Sequence, residues 1–159
     1  MSRVQLALRV PDLDASVEFY AKLLGEGPAK RRPGYANFAI PEPPLKLVLI
    51  EGEPGQRTAL DHLGIEVESS EQVAAATTRL ADQGLATTTE ENTACCYAVQ
   101  DKVWVSGPGN EPWEVYVVKA DADTLTKQAQ SPCCAPSTAP STAAGHDAAG
   151  GSATASTGC

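Results

Sequence analysis

The chain has 159 residues, which is enough for one domain with a substantial core. Its formal net charge of −8 argues against nucleic acid as a partner, because no basic patch offsets the acidic residues. The first residues do not resemble a signal peptide, and no stretch is apolar enough to span a membrane. Five cysteines, four of them in adjacent pairs, do not form a spaced disulfide framework and favour a reducing cytoplasm.

The first part of the chain predicts a strand, a helix and two further strands. The opening strand alternates between apolar and polar side chains, as half-buried strands do. The helix has an aspartate, Asp12 or Asp14, as its N-cap and Gly25 as its stop. In order, we expect a strand at 3–10, a helix with the apolar stripe Leu13, Val17, Tyr20 and Leu24, a linker at 31–34, and strands at 35–40 and 45–51.

The pattern then repeats in the second part of the chain. Another alternating strand precedes a helix, whose start is marked by the capping-box spacing of Ser69 and Gln72 and whose end is marked by Gly84. Shorter strands follow, and the last two are separated by a turn rich in glycine and proline. In order, we expect a strand at 61–68, a helix, and strands near 86–90, 96–100, 102–106 and 113–118.

Two copies of a strand–helix–strands unit predict an α+β fold of two βαβββ modules in a pseudo-two-fold arrangement. The first module occupies about residues 1–52 and the second about residues 60–120, within one domain of residues 1–122. His62 of the second copy aligns with Gln5 of the first, on the face opposite the apolar side chains. Two curved half-sheets with these polar faces inward would enclose a cleft.

The last part of the chain, residues 129–159, has a different composition. It contains no Leu, Ile, Val, Phe, Tyr or Trp, and Ala, Ser, Thr, Gly and Pro dominate. Such a segment buries too little apolar surface to offset the entropy cost of ordering, so we expect a disordered tail. The tail carries Cys133, Cys134 and Cys159, whose role this composition does not indicate.

Three residues on the predicted cleft face are candidate metal ligands. Gln5 and His62 occupy equivalent strands, and Glu114 lies on the last strand. The corresponding position of the first copy is about Lys46, which as a cation does not bind metal ions. One amide oxygen, one imidazole and one carboxylate resemble the facial triad of non-haem Fe(II) sites, with glutamine in place of one histidine. Each of the three residues, taken alone, also fits a structural or surface position.

Cys95 and Cys96 form the second candidate site. Two adjacent thiolates offer a compact soft donor for trivalent arsenic, cadmium or mercury, although two small buried side chains are the alternative. Both sulfurs can reach one ion only from irregular backbone, because neighbours in a regular strand point to opposite faces. A mobile loop at residues 90–94 would supply it. Lys102 and Tyr97 are candidates for lining the cleft or tuning the thiol pKa.

Paired βαβββ units with candidate ligands on their first and last strands resemble the vicinal oxygen chelate superfamily, which includes glyoxalase I, fosfomycin-resistance proteins and extradiol dioxygenases. Within it, the chain is most similar to the subfamily of ArsI-type organoarsenical C–As lyases and CadI-type cadmium-induced proteins. The Cys95-Cys96 pair and the Lys102-Val103-Trp104 run are specific to this subfamily. The similar segments are residues 4–8, 32–38, 44–49, 61–64, 95–105 and 112–116.

The resemblance implies an Fe(II)-dependent enzyme that uses dioxygen to cleave the carbon–arsenic bond of trivalent organoarsenicals and releases arsenite. It implies that Gln5, His62 and Glu114 hold the iron and that Cys95 and Cys96 hold the arsenic. Extradiol dioxygenases have histidine where this chain has glutamine, and a neutral oxygen donor leaves the identity of the metal open. A protein that sequesters cadmium or another soft metal and a glyoxalase-like enzyme are alternatives. A homodimer is expected by analogy alone.

Overall fold

The computed structural model describes residues 2–126. The predicted tail and its cysteines lie outside the described residues. Among the residues described, no helix is long and apolar enough to cross a membrane. The elements are β1 (Arg3–Val10), α1 (Leu13–Leu24), β2 (Lys30–Arg32), β3 (Tyr35–Ile40), β4 (Leu45–Glu51), β5 (Ala59–Glu66), α2 (Ser70–Asp82), β6 (Thr87–Cys95), β7 (Ala98–Ser106) and β8 (Pro112–Asp121).

The strands form one mixed sheet in the order β2-β3-β4-β1-β5-β8-β7-β6. The two modules meet at its centre, where β1 and β5 pair antiparallel. Each of these strands is flanked on its other side by the last strand of its own module, β4 or β8, in parallel register. This arrangement confirms the predicted α+β fold of two βαβββ units.

Each helix covers the outer face of its own half-sheet. The Asp12 carboxylate accepts a hydrogen bond from the Ala15 N–H at 2.9 Å and caps α1, which ends at Gly25 in the left-handed region. Ser69 caps α2 in the same way. Two separate apolar cores result. The first contains Val10, Leu13, Val17, Phe38 and Leu49, and the second contains Val73, Ala76, Leu80, Val103, Val115 and Val117.

Three predictions about polar segments are wrong. The expected linker contains β2, which pairs with β3 at the sheet edge. The expected loop at 90–94 belongs to β6, where a bulge interrupts the pairing with β7. The expected strands at 96–100 and 102–106 form one strand, β7, which begins only at Ala98. In each case backbone pairing with a neighbouring strand overrides a local sequence that has little apolar alternation.

A constant offset relates the two modules. Fifty-seven residues separate Gln5 from His62, and the same number separates the two helix caps, Asp12 and Ser69. Gln5 and His62 are therefore equivalent positions, as the repeat in the sequence predicted.

The same offset corrects the fourth equivalent position. It relates Ala7 of β1 to Gly64 of β5. Ala7 pairs with Val48, and Gly64 pairs with Glu114. The counterpart of Glu114 is therefore Val48, and the assignment to Lys46 is wrong by two residues. An apolar side chain occupies the position where a fourth ligand would stand.

Candidate functional site

The central strands bring Gln5, His62 and Glu114 together in the cleft. Gln5 Nε2 lies 3.0 Å from His62 Nε2 and donates to Glu114 Oε1 at 2.8 Å. His62 Nε2 lies 3.4 Å from the same carboxylate oxygen. Gln5, His62 and Glu114 are only 4%, 8% and 3% exposed, respectively, so none of them is a surface residue. Sequence reasoning predicted this set, and the structure brings all three side chains to one point.

Gly64 makes the close approach possible. A Cβ at this position would lie 3.2 Å from Gln5 Cβ, Gln5 Nε2 and Glu114 Cγ. These distances are shorter than ordinary van der Waals contacts, so any side chain here would push the two polar groups apart. The hydrogen atom of glycine leaves the room that the cluster needs.

The spacing of the three donors fits a metal ion. Bonds of about 2.0–2.2 Å to a first-row ion place neighbouring ligand atoms about 2.8–3.1 Å apart. Two of the observed separations, 2.8 and 3.0 Å, lie in this range, and the third, from His62 Nε2 to Glu114 Oε1, is longer at 3.4 Å. To bind an ion, the Gln5 amide must turn its oxygen toward it. A rotation that exchanges the positions of the Gln5 oxygen and nitrogen achieves this. Among the described residues, no group of three His, Cys, Asp or Glu side chains could hold a metal ion, so glutamine is essential to this set.

Asp61 orients the imidazole of His62. The Asp61 Oδ1 atom lies 2.6 Å from His62 Nδ1, and its other oxygen forms a 2.7 Å ion pair with Arg9. Burial opposes the charged imidazole, but the hydrogen bonds to Asp61 and Glu114 outweigh it and raise the pKa of His62 to about 9. A carboxylate on Nδ1 leaves Nε2 directed into the cleft, as in many metal-binding histidines.

Lys102 holds the second oxygen of Glu114. Its Nζ donates to Glu114 Oε2 at 2.8 Å, and both residues are 3% exposed. Burial opposes ionisation of Glu114, but the Lys102 charge and the His62 contacts outweigh it and lower the pKa of the carboxyl to about 2. One oxygen of Glu114 is thus bound to lysine, and the other faces Gln5 and His62.

Cys95 and Cys96 lie at the turn between β6 and β7. Cys96 and Tyr97 have φ angles of 56° and 59°, in the left-handed region that residues with side chains seldom adopt. This turn brings the two sulfurs to 3.0 Å from each other. The prediction that irregular backbone would let both sulfurs converge is confirmed. Its source is a tight hairpin turn instead of a long loop.

A segment after β8 holds the strained turn in place. The Cys96 N–H donates to the Leu125 carbonyl at 3.0 Å, and the Tyr97 N–H donates to the Thr124 carbonyl at 2.8 Å. The Tyr97 hydroxyl donates to the Pro33 carbonyl at 2.9 Å. Tyr97 therefore anchors the turn to the first module, which is a more definite role than the cleft lining that we expected.

The surroundings of Cys96 disfavour its thiolate form. The hydrogen bond with Cys95 and burial raise the pKa of Cys96 above its usual value. Lys102 acts in the predicted direction and lowers this pKa, but its effect is outweighed. Its ammonium group contacts Glu114 directly, so its main partner is the carboxylate.

Two cavities meet at this cluster. An inner cavity of about 50 Å³ is lined by the three candidate ligands together with polar side chains. An outer cavity of about 350 Å³ contains Cys95 and Cys96, and its apolar wall includes Trp104 and Leu125. His62, Cys96 and Lys102 line both cavities. A molecule held by the sulfurs in the outer cavity would therefore lie next to His62, one of the three candidate ligands.

Sequence reasoning missed three contributors to the site. Asp61 precedes His62, so a carboxylate next to the candidate ligand was the available signal. Tyr116 lies two residues after Glu114 on the same face of β8, and period-two alternation could have identified it. Leu125 carries no signal, because its place over the cysteine turn depends on where the chain runs after β8.

One sheet made of two βαβββ halves around a polar cleft is the fold of the glyoxalase and dioxygenase class of proteins. The chain belongs to the Glyoxalase/Bleomycin resistance protein/Dioxygenase superfamily, which it matches over residues 3–115. An extradiol ring-cleaving dioxygenase from B. fuscum has the same fold, with a TM-score of 0.55 and 22% identity over 76% of this chain and 34% of that one.

Relatives found by sequence include two that are much more similar to this chain. A trivalent organoarsenical cleaving enzyme of Thermomonospora curvata is 73% identical over 136 residues, which cover 86% of this chain and 90% of the relative. The cadmium-induced protein CadI of Mycobacterium tuberculosis is 60% identical over 125 residues, which cover 79% and 82%. The resemblance to this subfamily is confirmed.

The role of Asp61 can be tested in the metal-free protein. Asp61→Asn removes the negative charge beside His62, so the pKa of His62 should fall from about 9 toward its ordinary value of 6.5. A titration followed by NMR of the imidazole protons measures this change, with His62→Gln identifying the signal. An unchanged pKa would show that Asp61 does not stabilise the imidazolium.

Proposed function

We propose that the protein cleaves the carbon–arsenic bond of trivalent organoarsenicals, using Fe(II) and dioxygen, and releases arsenite. The observation that carries this proposal is the outer cavity, which both Cys95 and Cys96 line together with His62. A soft dithiol and a candidate metal ligand thus face the same space. The reduced thiols suit a reducing, cytoplasmic location.

Capture of the substrate requires only thiol exchange. Each cysteine forms one sulfur–arsenic bond with methylarsenite, one arsenic–oxygen bond breaks, and the thiol proton leaves with the hydroxyl as water. Two such exchanges release two waters and need no oxidant. Protonated thiols can carry out this exchange, so the raised pKa of Cys96 is compatible with it. Pentavalent arsenic, surrounded by oxygens and negatively charged, offers no comparable site to soft sulfur.

The dithiol then fixes the organic substituent beside the cluster. Holding arsenic on two sulfurs removes most of its freedom of movement, which favours reaction at the neighbouring centre. Fe(II), when bound by Gln5, His62 and Glu114, would supply the dioxygen chemistry that breaks the bond. Asp61 keeps His62 Nε2 directed at this centre, and Lys102 keeps Glu114 Oε1 available to it.

A second candidate function is sequestration of cadmium or another soft ion without turnover. It is favoured by the 60% identity to the cadmium-induced protein and by the two reduced thiols, whose sulfurs lie 3.0 Å apart. This function would need no arrangement of Gln5, His62 and Glu114. Their burial and convergence therefore favour the enzyme.

A glyoxalase-like activity has less support. Such a site would be expected to use a fourth donor at the position equivalent to Glu114, and the first module has the apolar Val48 there. Nothing in that chemistry calls for the strained turn that joins the two sulfurs.

Turnover tests the proposal directly. The protein should release arsenite from methylarsenite in air, but not from methylarsenate and not without oxygen. Cys95→Ser and Cys96→Ser should each reduce turnover on the order of 100-fold, because one sulfur leaves the substrate free to rotate. Both variants should retain their iron. Arsenite release and iron content are measured on the same samples.

The matched control replaces the other cysteine pair, Cys133 and Cys134, by serine. This variant should keep the wild-type turnover. Turnover without oxygen would contradict the oxygenase chemistry, and full activity of both single serine variants would contradict capture by the turn. Tight cadmium binding with no turnover of any arsenical would favour the sequestering protein.

The metal site has its own test in Gly64→Ala. The added methyl group meets Gln5 and Glu114 at 3.2 Å and should spread the donors, weakening Fe(II) binding by about tenfold. Gly27→Ala is the control, because nothing lies within 4 Å of its Cβ position. Anaerobic titration with Fe(II) measures both affinities. Equal Fe(II) affinity in the two variants would contradict Gln5, His62 and Glu114 as the metal ligands.

A further inference from the structure

We propose that Tyr116, backed by Glu66, is a positioning residue that turns the Gln5 amide so that its oxygen faces the metal site. The proposal rests on the proposed function, because it concerns the same three donors. A glutamine ligand presents a problem that histidine and glutamate do not. Only one end of its amide binds a metal ion, and the other end repels it.

The hydrogen bonds around Tyr116 reveal a conflict. The Tyr116 hydroxyl contacts both Gln5 Oε1 and Glu66 Oε2, the latter at 2.9 Å. A hydroxyl has one proton, so it can donate to only one of these two oxygens. The other contact then places two oxygen lone pairs against each other. Bulk water does not relieve the contact, because Tyr116 is fully buried.

Turning the amide by 180° resolves this conflict. The Gln5 NH₂ group then donates to the Tyr116 oxygen, and the Tyr116 proton goes to Glu66. Each hydrogen bond in the series from Gln5 through Tyr116 to Glu66 then joins a donor to an acceptor. The same rotation places Gln5 Oε1 beside His62 Nε2 and Glu114 Oε1, where it would complete a triangle of three electron-pair donors. Such a triangle is favourable only when a metal ion lies at its centre or a proton lies on His62 Nε2.

With neither a metal ion nor a proton at His62 Nε2, the opposite orientation has the advantage at the triangle. The Gln5 NH₂ group then donates to Glu114 and lies against His62 Nε2, as the structure shows. The amide therefore has two orientations, one suited to the empty cluster and one suited to the loaded cluster. Tyr116 favours the second, and so lowers the cost of reorganising the site when the metal binds.

Glu66 is itself held as an anion that accepts this hydrogen bond. Arg3 and Lys46 each form an ion pair of 3.0 Å with it. Burial opposes its charge, but these cations and the Tyr116 hydroxyl outweigh burial and lower the pKa of Glu66. Lys46 thus supports the site through Glu66, although it is neither a ligand nor the counterpart of one.

The test compares two buried tyrosines. Tyr116→Phe removes the hydroxyl that contacts Gln5, and Tyr35→Phe removes one that accepts from Asn37 instead. Anaerobic titration with Fe(II) alone should show a Kd about 10- to 100-fold higher for Tyr116→Phe, the range expected when a residue that orients a ligand is lost. Tyr35→Phe should bind as the wild type does, and Glu66→Gln should fall between the two.

A second readout follows the amide itself. With the diamagnetic ion Zn(II), the Gln5 NH₂ protons should show NMR contacts to the Tyr116 ring and lose those to His62. In Tyr116→Phe, thermal unfolding reports whether the fold survives, and the NMR contacts of the Zn(II)-loaded protein report the orientation even where affinity is too weak to fit.

The outcomes separate the two levels of the argument. Equal Kd values for Tyr116→Phe and Tyr35→Phe, or an amide that keeps its protons toward His62 with Zn(II) bound, would overturn the positioning role alone. An Fe(II) affinity that is the same in Glu114→Gln as in the wild type would overturn both this role and the metal site of the proposed function.

Discussion

The antiparallel pairing of β1 with β5 is the constraint on which the site depends. It sets Gln5 and His62, fifty-seven residues apart in sequence, on the same face at the centre of one sheet. The parallel pairing of β8 with β5 then adds Glu114 beside Gly64. A slip of one residue at either junction would turn a donor to the outer face and into the apolar core. The helices and their two cores stabilise the register, and the register makes the cluster.

The cluster is costly to bury, which is informative about its purpose. Lys102 and Glu114 are almost fully enclosed, and His62 and Glu66 are buried or nearly so. Buried ion pairs of this kind give little net stability compared with apolar residues of similar volume. The strained Cys96 turn adds a further local cost. Costs concentrated around one cleft are typical of a functional site, and here the charged groups Asp61 and Lys102 orient His62 and Glu114.

How much of this could be predicted depends on how local each signal is. The stripe of α1 and the alternation of β1 are written in consecutive residues, and both were predicted at nearly their observed bounds. The polar strand β2 was not predicted and only the first part of β6 was, because these segments are strands through pairing with their neighbours. The fourth equivalent position was misplaced at Lys46, since the correct one, Val48, follows from strand register. The contact of Leu125 with the cysteine turn is likewise a property of the folded chain alone.

The central claim is that Cys95 and Cys96 together hold one arsenic atom next to the three donors. Arsenic K-edge X-ray absorption tests it most directly, on protein in which Cys133 and Cys134 are replaced by serine and which is loaded with methylarsenite without oxygen. The account predicts two sulfur neighbours and one carbon neighbour per arsenic atom, with one sulfur lost in Cys96→Ser. An arsenic atom with oxygen neighbours and at most one sulfur in the Cys95-Cys96 protein would contradict it.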